Sequence, residues 1–419
     1  MEKLNILIIS HVIPYPLSSG QQLRVFYTLI ALRKYFHITF LTSLPSKHKN
    51  YVIFQISNLV DKLLIIDSKY SNNVVNKIFY QLVGRIYSLF TGLKFSNYII
   101  GKVDYSPKNI NLATDINNYD CVFYEYWHAV DSTEIFHTKN IPCILDTHNI
   151  LWQSYQKQLN LKKFIPPIIN KNILRKYKTF EENAWDQFDG IIAINSEEFN
   201  YIKNQLSSQK KIFSLPMGTD LSKWPHLYNP IKPQRIVFYG GLGSIHNQIS
   251  AMDGYQFIMP KIWEKFPDVE YWIVGSNPPE KIKSIPTVDP RVRVTGFLDD
   301  PQTLLSTMSL MICPWSGTYG FRSRLIEIMA LGVPIITNVE AIYGMELDEN
   351  KGILLADDYD EFAEISIELL SKPQNLLKQS VLARNQIEEK FSFESTYLDF
   401  SYELFQFVNE RKQKDNGNV

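Results

Sequence analysis

Short runs of mostly apolar residues recur along the chain, and each is followed by glycines or polar residues and then by a helical pattern. The strands predicted from these runs occupy residues 6–9, 120–124, 141–145, 235–239 and 310–313. A strand that is apolar on both faces is typical of a parallel sheet covered by helices on both sides. The pattern therefore predicts an α/β fold in which parallel strands alternate with helices.

A chain of 419 residues is too long for one hydrophobic core, so at least two domains are expected. The turn at Pro216 and Gly218 and the proline-rich stretch that follows it mark the boundary. We therefore predict an N-terminal domain at residues 1–218, a linker at residues 219–234 and a C-terminal domain at residues 235–392.

The composition is that of a globular protein, with 45% apolar and 21% charged residues and a formal net charge of zero. Zero net charge argues against a nucleic-acid partner that depends on the overall field of the protein. Cys121, Cys143 and Cys313 lie in or beside apolar runs and lack the spacing of a metal site, so we expect buried, reduced thiols and a cytoplasmic protein. The apolar run at the N-terminus is too short for a signal peptide or a membrane span.

Two basic stretches suggest contact with a membrane surface. Between Asp67 and Asp104 the chain has no acidic residue, and basic residues are mixed with aromatic and aliphatic ones. A second basic run lies between Lys157 and Lys178. Basic residues beside apolar ones on a helix favour peripheral binding to an anionic membrane. The alternative is a solvated helical face, and the sequence leaves both interpretations open.

The helix predicted after the fifth strand has a single apolar face. Phe321, Leu325, Ile328 and Met329 follow the i, i+4, i+7, i+8 spacing of such a face. Gly332 is placed to end the helix in a left-handed conformation. The remaining positions of this helix are therefore available to the polar groups of a binding site.

Arg322 and Arg324 lie in the predicted first turn of this helix, where the helix dipole disfavours positive charge. Their position is explained if an anion binds there, because free N–H groups and guanidinium groups together bind phosphate. Glu327 lies one turn further on, away from the apolar face, where its carboxylate can accept hydrogen bonds from hydroxyls. A phosphate site next to a diol site suggests a nucleotide.

Two glycine-containing loops that follow predicted strands are further candidates for phosphate contact. Gly20 lies in the loop after the first strand, and a missing side chain lets the backbone approach a phosphate closely. Gly240 and Gly241 follow the strand at residues 235–239 but lack the full dinucleotide fingerprint and its acidic partner. Each loop alone is only a turn signal.

Polar residues also follow the strands at residues 120–124 and 141–145. Glu125 directly follows the first of these strands, and His148 comes shortly after the second. Ligands of parallel sheets bind outside the carboxyl ends of the strands, so both side chains are expected at the same functional edge. The alternative for a single histidine after a strand is a purely structural role.

Residues 320–337, Gly-Phe-Arg-Ser-Arg-Leu-Ile-Glu-Ile-Met-Ala-Leu-Gly-Val-Pro-Ile-Ile-Thr, resemble the donor-binding signature of retaining glycosyltransferases of family 4. Residues 188–198 and 212–220 are similar to further segments of that family. The resemblance implies the GT-B fold, in which two Rossmann-like domains with parallel sheets face each other across a cleft. It also implies a C-terminal helix at about residues 393–410 that crosses back to the first domain.

The activity that this resemblance implies is metal-independent, retaining transfer of a hexose-type sugar. The sugar would pass from a nucleotide-diphosphate sugar to a glycan or lipid-linked acceptor in cell-surface polysaccharide synthesis. No cofactor is then expected, and the protein would act in the cytoplasm, with or without contact to the inner face of the cell membrane. By the same resemblance, Glu327 holds the ribose hydroxyls, His148 lies close to the reacting sugar and the acceptor, and Glu125 is the reserve candidate for the base that orients the acceptor hydroxyl.

The resemblance also implies that backbone N–H groups and two arginines stabilise the leaving diphosphate. The donor-binding residues predicted in this way, together with the glycine loop of the second domain, are Gly20, Gly240, Gly241, Gly320, Phe321, Arg322, Arg324 and Glu327.

Departures from the family pattern leave other functions open. Tyr319 replaces an acidic residue of most members, although a subgroup from exopolysaccharide clusters also lacks it and has Gly-x-x-x-Lys, which Gly320 and Arg324 match with Arg for Lys. Gly241 and His246 stand where many members have Arg and Lys. The alternatives are a nucleotide-sugar epimerase on the same fold and a catalytically inactive partner subunit.

An Asp-x-Asp pattern, which metal-dependent transferases use, occurs at Asp358 and Asp360. Both residues stand directly before a helical pattern, where aspartate is a common cap. We therefore interpret them as helix-capping residues and predict no metal site.

Overall fold

The computed structural model describes residues 2–17, 19–43, 49–66, 105–160, 167–207, 210–317 and 321–417, together with six positions between 75 and 86. The chain divides into two compact units, each with its own parallel sheet and its own hydrophobic core. Unit 1 comprises Met1–Pro216 and Tyr397–Val419, and unit 2 comprises Met217–Thr396. Each unit is a Rossmann-like α/β domain, as the apolar runs predict.

Unit 1 is built on a seven-stranded sheet with the order β3-β2-β1-β4-β5-β6-β7, in which all neighbouring strands are parallel. The central strands are buried on both faces because helices cover both sides of the sheet. The strands are β1 (Leu4–Ile9), β2 (Phe36–Thr42), β3 (Lys62–Ile65), β4 (Cys121–Glu125), β5 (Cys143–Asp146), β6 (Gly190–Ala193) and β7 (Lys211–Ser214).

The connections of unit 1 are helical, with 3-10 turns at Ile116–Asn118 and Trp127–Ser132. Aromatic side chains, among them Tyr124, Trp185 and Phe188, are buried in the core of the unit. The helices are α1 (Gly20–Leu32), α2 (Lys49–Ser57), α3 (Pro107–Ala113), α4 (Thr133–His137), α5 (Leu151–Asn160), α6 (Pro167–Trp185) and α7 (Ser196–Gln205).

Unit 2 has a six-stranded parallel sheet with the order β10-β9-β8-β11-β12-β13. The chain thus moves outward from β8 in one direction and then outward from β11 in the other. The strands are β8 (Arg235–Tyr239), β9 (Glu270–Val274), β10 (Val292–Val294), β11 (Leu310–Cys313), β12 (Ile335–Thr337) and β13 (Ile353–Leu355).

In unit 2 a π-helical turn at Gly254–Ile258 joins the first two helices, and a 3-10 turn lies at Val339–Ile342. Asp358 caps the helix Tyr359–Ser371 by accepting hydrogen bonds from the backbone N–H groups of Asp360 and Glu361, which confirms the capping interpretation for Asp358. Asp360 lies in the first turn of this helix and pairs with Lys261 instead of capping it. The helices are α8 (Ile245–Asp253), α9 (Met259–Lys265), α10 (Glu280–Lys283), α11 (Ile285–Val288), α12 (Pro301–Leu305), α13 (Ser323–Ala330), α14 (Tyr359–Ser371) and α15 (Pro373–Lys390).

The last helix, α16 (Asp399–Gly417), packs on unit 1. The Ser401 hydroxyl donates to the carbonyl of Ala31 at 2.9 Å, and the Phe405 ring lies 5.4 Å from that of Tyr35. Near the end of the helix, the Arg411 guanidinium lies 2.7 Å from the Asp189 carboxylate. The C-terminal helix therefore returns to the first unit, as the resemblance implies.

The helix around Glu327 ends as predicted but begins later than predicted. Gly332 has φ +87° after α13, which confirms the predicted left-handed helix end. Helix α13 begins at Ser323, so Arg322 precedes the helix instead of lying in its first turn.

The three cysteines are free and buried, as predicted. In the part of the chain that the structure describes, no helix is both long enough and apolar enough to cross a membrane. Most of the first basic stretch lies outside the described residues, and so do Lys162 and Lys163 of the second. The predicted membrane contact therefore stays a prediction.

The loop after β8 depends on the absence of a side chain at Gly275. A Cβ atom there would lie 1.9 Å from the carbonyl oxygen of Gly240, and the φ of Gly275 is +156°. We predict that Gly275→Ala lowers the free energy of unfolding by about 1–3 kcal/mol, because the backbone of the loop must move. Urea unfolding measures this effect.

Gly296→Ala is the matched control, because a Cβ atom at Gly296 would have no neighbour within 4 Å. It should change stability by less than about 0.5 kcal/mol. Equal losses in the two variants would mean that the close approach between Gly275 and Gly240 is not what holds this loop.

Candidate functional site

The strand order of unit 2 reverses between β8 and β11, which are neighbours in the sheet. Ligands of open α/β sheets bind outside the carboxyl ends of the strands at such a switch point. Helix α8 follows β8, and helix α13 follows β11. Neither helix has a side-chain cap or an acidic residue in its first turn. Both N-termini therefore offer unneutralised dipoles and N–H groups to an anion.

Glu327 lies on α13 beside this switch point, and only 5% of the residue is exposed. Its Oε2 atom lies 2.5 Å from Nη1 of Arg324 and accepts a hydrogen bond from the Tyr239 hydroxyl at 3.1 Å. Nη1 of Arg324 also donates to the oxygen of the Tyr239 hydroxyl at 2.9 Å. Burial raises the pKa of Glu327, and the contacts with Arg324 and Tyr239 oppose that rise. The three side chains form one hydrogen-bonded cluster.

All of these contacts are made by one oxygen of the carboxylate. No described residue donates a hydrogen bond to the second oxygen of Glu327, Oε1. A carboxylate oxygen in a nearly buried side chain favours a hydrogen-bond donor. Oε1 is therefore the atom of this cluster that can accept a hydrogen bond from a ligand hydroxyl.

Arg322 holds the loop after β11. Its Nη1 and Nη2 atoms donate to the carbonyls of Ala341 and Gly317 at 2.9 and 2.8 Å, and its guanidinium lies 4.4 Å from the centre of the Trp315 ring. The backbone N–H of Gly317 donates to Glu340 at 2.6 Å. The guanidinium thus joins this loop to the 3-10 turn at residues 339–342. Its predicted contact with a diphosphate stays a prediction.

The glycine loop after β8 is fixed by backbone hydrogen bonds and by the side-chain amides of Asn247 and Gln248. Gly240 donates to the carbonyl of Val274 at 3.0 Å, and Nδ2 of Asn247 donates to the carbonyl of Gly241 at 2.7 Å. His246, on the first turn of α8, lies with its ring 6.0 Å from that of Trp315. The loops after β8 and β11 therefore meet at the switch point.

The segment just before α13 is described only in part. The ring of Phe321 packs 6.0 Å from that of Phe391. Gly320, which the sequence predicts to contact the diphosphate, and Tyr319, which replaces the usual acidic residue, lie outside the described residues. Their predicted roles are untested.

Unit 1 presents a second polar group at the carboxyl edge of its sheet, where β1 and β4 form the switch point. Gly20 is the first residue of α1, and Ser19 caps this helix by accepting from the backbone of Gln22 at 3.4 Å. Glu125 ends β4, and His148 follows β5 by two residues. The structure therefore places Glu125 and His148 on one edge of the sheet, as the sequence predicts from the strand ends.

A buried ion pair organises this edge. Arg24 donates from Nε and Nη2 to the two oxygens of Asp146 at 2.7 and 2.9 Å, and both side chains are at most 1% exposed. The remaining nitrogen of Arg24, Nη1, donates to the carbonyl of Leu215 at 2.7 Å. Burial alone would raise the pKa of Asp146, but Arg24 and the backbone N–H of His148 bring it below its ordinary value.

Glu125 and His148 are in direct contact through Oε2 and Nε2. Their other polar atoms, Oε1 of Glu125 and Nδ1 of His148, are buried and have no hydrogen-bond partner among the described residues. Burial raises the pKa of Glu125, and His148 partly offsets the rise. The carboxylate orients the imidazole and leaves Nδ1 for another donor or acceptor.

Tyr126 is a member of this group that sequence reasoning missed. Its backbone angles, φ 71° and ψ 154°, lie in a region that residues other than glycine rarely adopt. A backbone held in such a region costs about 1–3 kcal/mol of folding free energy. The ring stacks on that of His148 with centres 4.4 Å apart and planes 15° apart, and its hydroxyl bonds the side-chain amide of Gln21. A non-glycine residue held in this conformation next to Glu125 fixes the imidazole plane; the sequence contains no signal for it.

Two groups of side chains among the described residues lie close enough together to hold a metal ion. Ligand atoms of Glu125, Asp146 and His148 lie within 4.8 Å of one another, and so do those of His137, Cys143 and Asp189. In the first group the carboxylate of Asp146 is already bound by Arg24, whose positive charge disfavours a cation at this place. The prediction of no metal stays a prediction.

Part of the sequence matches a family model. Residues 233–372 match the model described as Glycosyl transferases group 1. The match lies wholly within unit 2 and includes β8, β11 and α13, which surround the switch point. No curated protein matches the sequence at a significant level.

Solved structures match the chain over nearly its whole length. Sucrose-phosphate synthase from Thermosynechococcus elongatus is 14% identical with a TM-score of 0.63, and the match covers 97% of this chain and 99% of that chain. A glycosyltransferase from Rickettsia africae is 12% identical with a TM-score of 0.64, and the match covers 97% of this chain and 99% of that chain. HepE from Anabaena in complex with UDP and glucose is 12% identical with a TM-score of 0.60, and the match covers 97% of this chain and 100% of that chain. These likenesses show the two-domain α/β GT-B fold.

The ion pair of Arg24 and Asp146 gives a prediction about stability. Asp146→Asn should lower the free energy of unfolding by about 3–5 kcal/mol, because it leaves a buried guanidinium without its counter-charge. Since the folded pKa of Asp146 lies below its unfolded value of about 3.9, the contribution of the pair is complete above that pH. It is lost as the pH falls through the folded pKa. Denaturant unfolding at neutral and acidic pH measures both effects.

The control is an exposed pair, Lys372 and Glu368, whose atoms lie 3.0 Å apart. Glu368→Gln should change stability by less than about 1 kcal/mol. If Asp146→Asn were as mild as this control, the buried pair would not be the organising contact of this edge.

Proposed function

We propose that the protein is a retaining glycosyltransferase that moves a hexose-type sugar from a nucleotide-diphosphate sugar to a glycan or a lipid-linked acceptor. The observation that carries the proposal is the buried carboxylate of Glu327 at the switch point of unit 2, where two helices begin without a side-chain cap. One oxygen of this carboxylate accepts no hydrogen bond from any described residue. The match to Glycosyl transferases group 1 supports the proposal, because it covers the same strands and helices.

In this proposal unit 2 binds the donor. Oε1 of Glu327 accepts hydrogen bonds from the ribose hydroxyls, and the N-termini of α8 and α13 bind the diphosphate through backbone N–H groups. Arg324 is a partly exposed cation, with 41% of its side chain accessible, next to these N-termini. Its charge, together with the two helix dipoles, makes a metal ion unnecessary for neutralising the diphosphate.

The reaction breaks the bond between C1 of the sugar and the diphosphate oxygen. The acceptor oxygen bonds to C1 from the same face, and its proton passes to the leaving diphosphate. Positive charge develops on the sugar ring and negative charge on the diphosphate in the transition state. Preorganised donors at the diphosphate stabilise that charge, and the loss of one such donor raises the barrier by about 3 kcal/mol.

Unit 1 binds the acceptor in this proposal. Glu125 is buried and in contact with Nε2 of His148, so its role is to orient the imidazole rather than to act as a separate base. Nδ1 of His148 is the atom that meets the hydroxyl of the acceptor. The ring is held in place by Tyr126, which stacks on it.

The class of acceptor is proposed from the resemblance to enzymes of cell-surface polysaccharide synthesis. Two structural neighbours support a nucleotide sugar and a sugar-bearing acceptor: HepE was solved with UDP and glucose, and a mutant of TarM from S. aureus with α-GlcNAc-glycerol and UDP. The basic and aromatic stretch between Asp67 and Asp104 is proposed to bind anionic lipids when the acceptor is membrane-bound.

A thermal-shift panel of nucleoside diphosphates and their sugars is the first test. A ligand at a hundred times its Kd stabilises the folded state by about 2.7 kcal/mol, so the right donor raises the Tm clearly. Incubation with the donor, with and without acceptor, then separates transfer from epimerisation, which needs no acceptor. Retention is read from the anomeric configuration of the product by NMR. If no nucleoside diphosphate stabilised the folded protein, the inactive-partner alternative would replace this proposal.

We predict that Glu327→Gln weakens donor binding about ten- to a hundredfold. The amide keeps the shape of the side chain but loses the charge that strengthens hydrogen bonds from hydroxyls by about 1.5–3 kcal/mol. Isothermal titration of the donor measures the change, and the Tm of the unliganded variant checks the fold. An unchanged donor affinity in a folded variant would remove Glu327 from the donor site.

We predict that His148→Ala slows transfer about a hundredfold or more while the affinity for the donor stays within about threefold. The imidazole belongs to unit 1 and acts on the acceptor side, so donor binding to unit 2 should not need it. His137→Ala is the control, because this histidine bonds Asp189 at 3.2 Å, at the start of β6 and away from the carboxyl edge. A loss of donor affinity equal to the loss of rate would argue against the acceptor-side role.

A further inference from the structure

Tyr239 is the last residue of β8 and stands directly before Gly240. Its side chain is nearly buried, with 7% of the residue exposed. Its hydroxyl makes two hydrogen bonds at once: it accepts from Nη1 of Arg324 and donates to Oε2 of Glu327. The strand therefore brings a phenol to a carboxylate that lies 88 positions later in the sequence.

The phenol remains a donor across the working range of pH. Burial raises the pKa of Tyr239 far above its ordinary value, and the charge of Glu327 raises it further. The hydroxyl proton is therefore always present to bond the carboxylate. A phenolate would instead repel it.

Arg324 alone cannot fix the carboxylate in one orientation. Its side chain is long, 41% exposed and joined to Glu327 only across one turn of α13. The guanidinium also lies 5.1 Å from the centre of the Tyr239 ring, so the phenol positions the arginine as well. Two donors that converge on Oε2 from different elements, β8 and α13, restrict the rotation of the carboxylate group.

We propose that Tyr239 is a positioning residue that aims Oε1 of Glu327 at the ribose hydroxyls of a nucleoside diphosphate. The inference rests on the proposed function, because it assigns the ribose to Glu327. It adds a consequence that the carboxylate alone does not give: preference for ribose over 2′-deoxyribose depends on the Tyr239 hydroxyl. If the carboxylate group rotates freely, Oε1 is not aimed at both ribose hydroxyls. A ribonucleotide and its 2′-deoxy counterpart then bind with similar affinity.

The test compares UDP, GDP and ADP with their 2′-deoxy counterparts by isothermal titration of the full chain. For the base that binds, the wild-type protein should prefer the ribonucleotide by about tenfold, the value of one hydrogen bond to a charged group. In Tyr239→Phe the preference should fall to about twofold or less, mostly through weaker binding of the ribonucleotide. The ring stays in place, so the hydrophobic packing of β8 is kept.

Tyr271→Phe is the matched control. Tyr271 is a buried tyrosine of the neighbouring strand β9, and its hydroxyl donates to the carbonyl of Ala251 at 3.0 Å, outside the cluster. This variant loses a comparable hydrogen bond and should keep the full ribose preference. A second variant, Glu327→Gln, should lose the preference by itself, and adding Tyr239→Phe to it should change nothing further.

The outcomes separate the inference from the proposed function. If the wild-type protein binds none of the three nucleoside diphosphates, the proposed function fails. If it binds one of them without preferring ribose, or if Tyr239→Phe keeps the preference, the inference fails and the proposed function stands. Equal weakening of both nucleotides in Tyr239→Phe also overturns the inference, because the phenol then supports the site as a whole.

Discussion

A buried carboxylate at the edge of a parallel sheet needs a nearby cation or hydrogen-bond donors, and each unit has one such carboxylate that is paired with an arginine. In unit 1 Asp146 is held by Arg24, and in unit 2 Glu327 is held by Arg324. An unpaired charge in either place would cost several kcal/mol. The loops, helix starts and neighbouring polar residues of each edge are arranged around these two pairs.

The two pairs differ in what they leave unsatisfied. Both oxygens of Asp146 are bonded by Arg24, so this pair supports its surroundings and offers nothing to a ligand. Among the described residues, hydrogen-bond donors reach Glu327 at one oxygen only. In unit 1 Glu125 and His148 lie next to the ion pair, and each has one buried atom without a hydrogen-bond partner among the described residues. In unit 1, therefore, one carboxylate supports the structure and other side chains are available to a ligand. In unit 2 Glu327 does both.

Backbone constraints lie at the same edges. Tyr126 is held in a conformation that favours glycine, and it covers the imidazole of His148. Gly275 leaves space for the carbonyl of Gly240 in the loop that opens the switch point of unit 2. Strain and close approach of this kind persist only where the surrounding core is rigid, and both edges are backed by strands that are almost fully buried.

The sequence by itself determined the α/β class, the main strands and the position of Glu327 on the helix that follows β11, because apolar periodicity and strand ends are local properties. It also predicted that Glu125 and His148 share an edge, since parallel strands end on the same side. Only the tertiary structure decided which polar groups pair. Arg24 meets Asp146 across 122 positions and Tyr239 meets Glu327 across 88, and Arg322 turns to two backbone carbonyls. Such pairings depend on strand order and register, which local patterns do not encode.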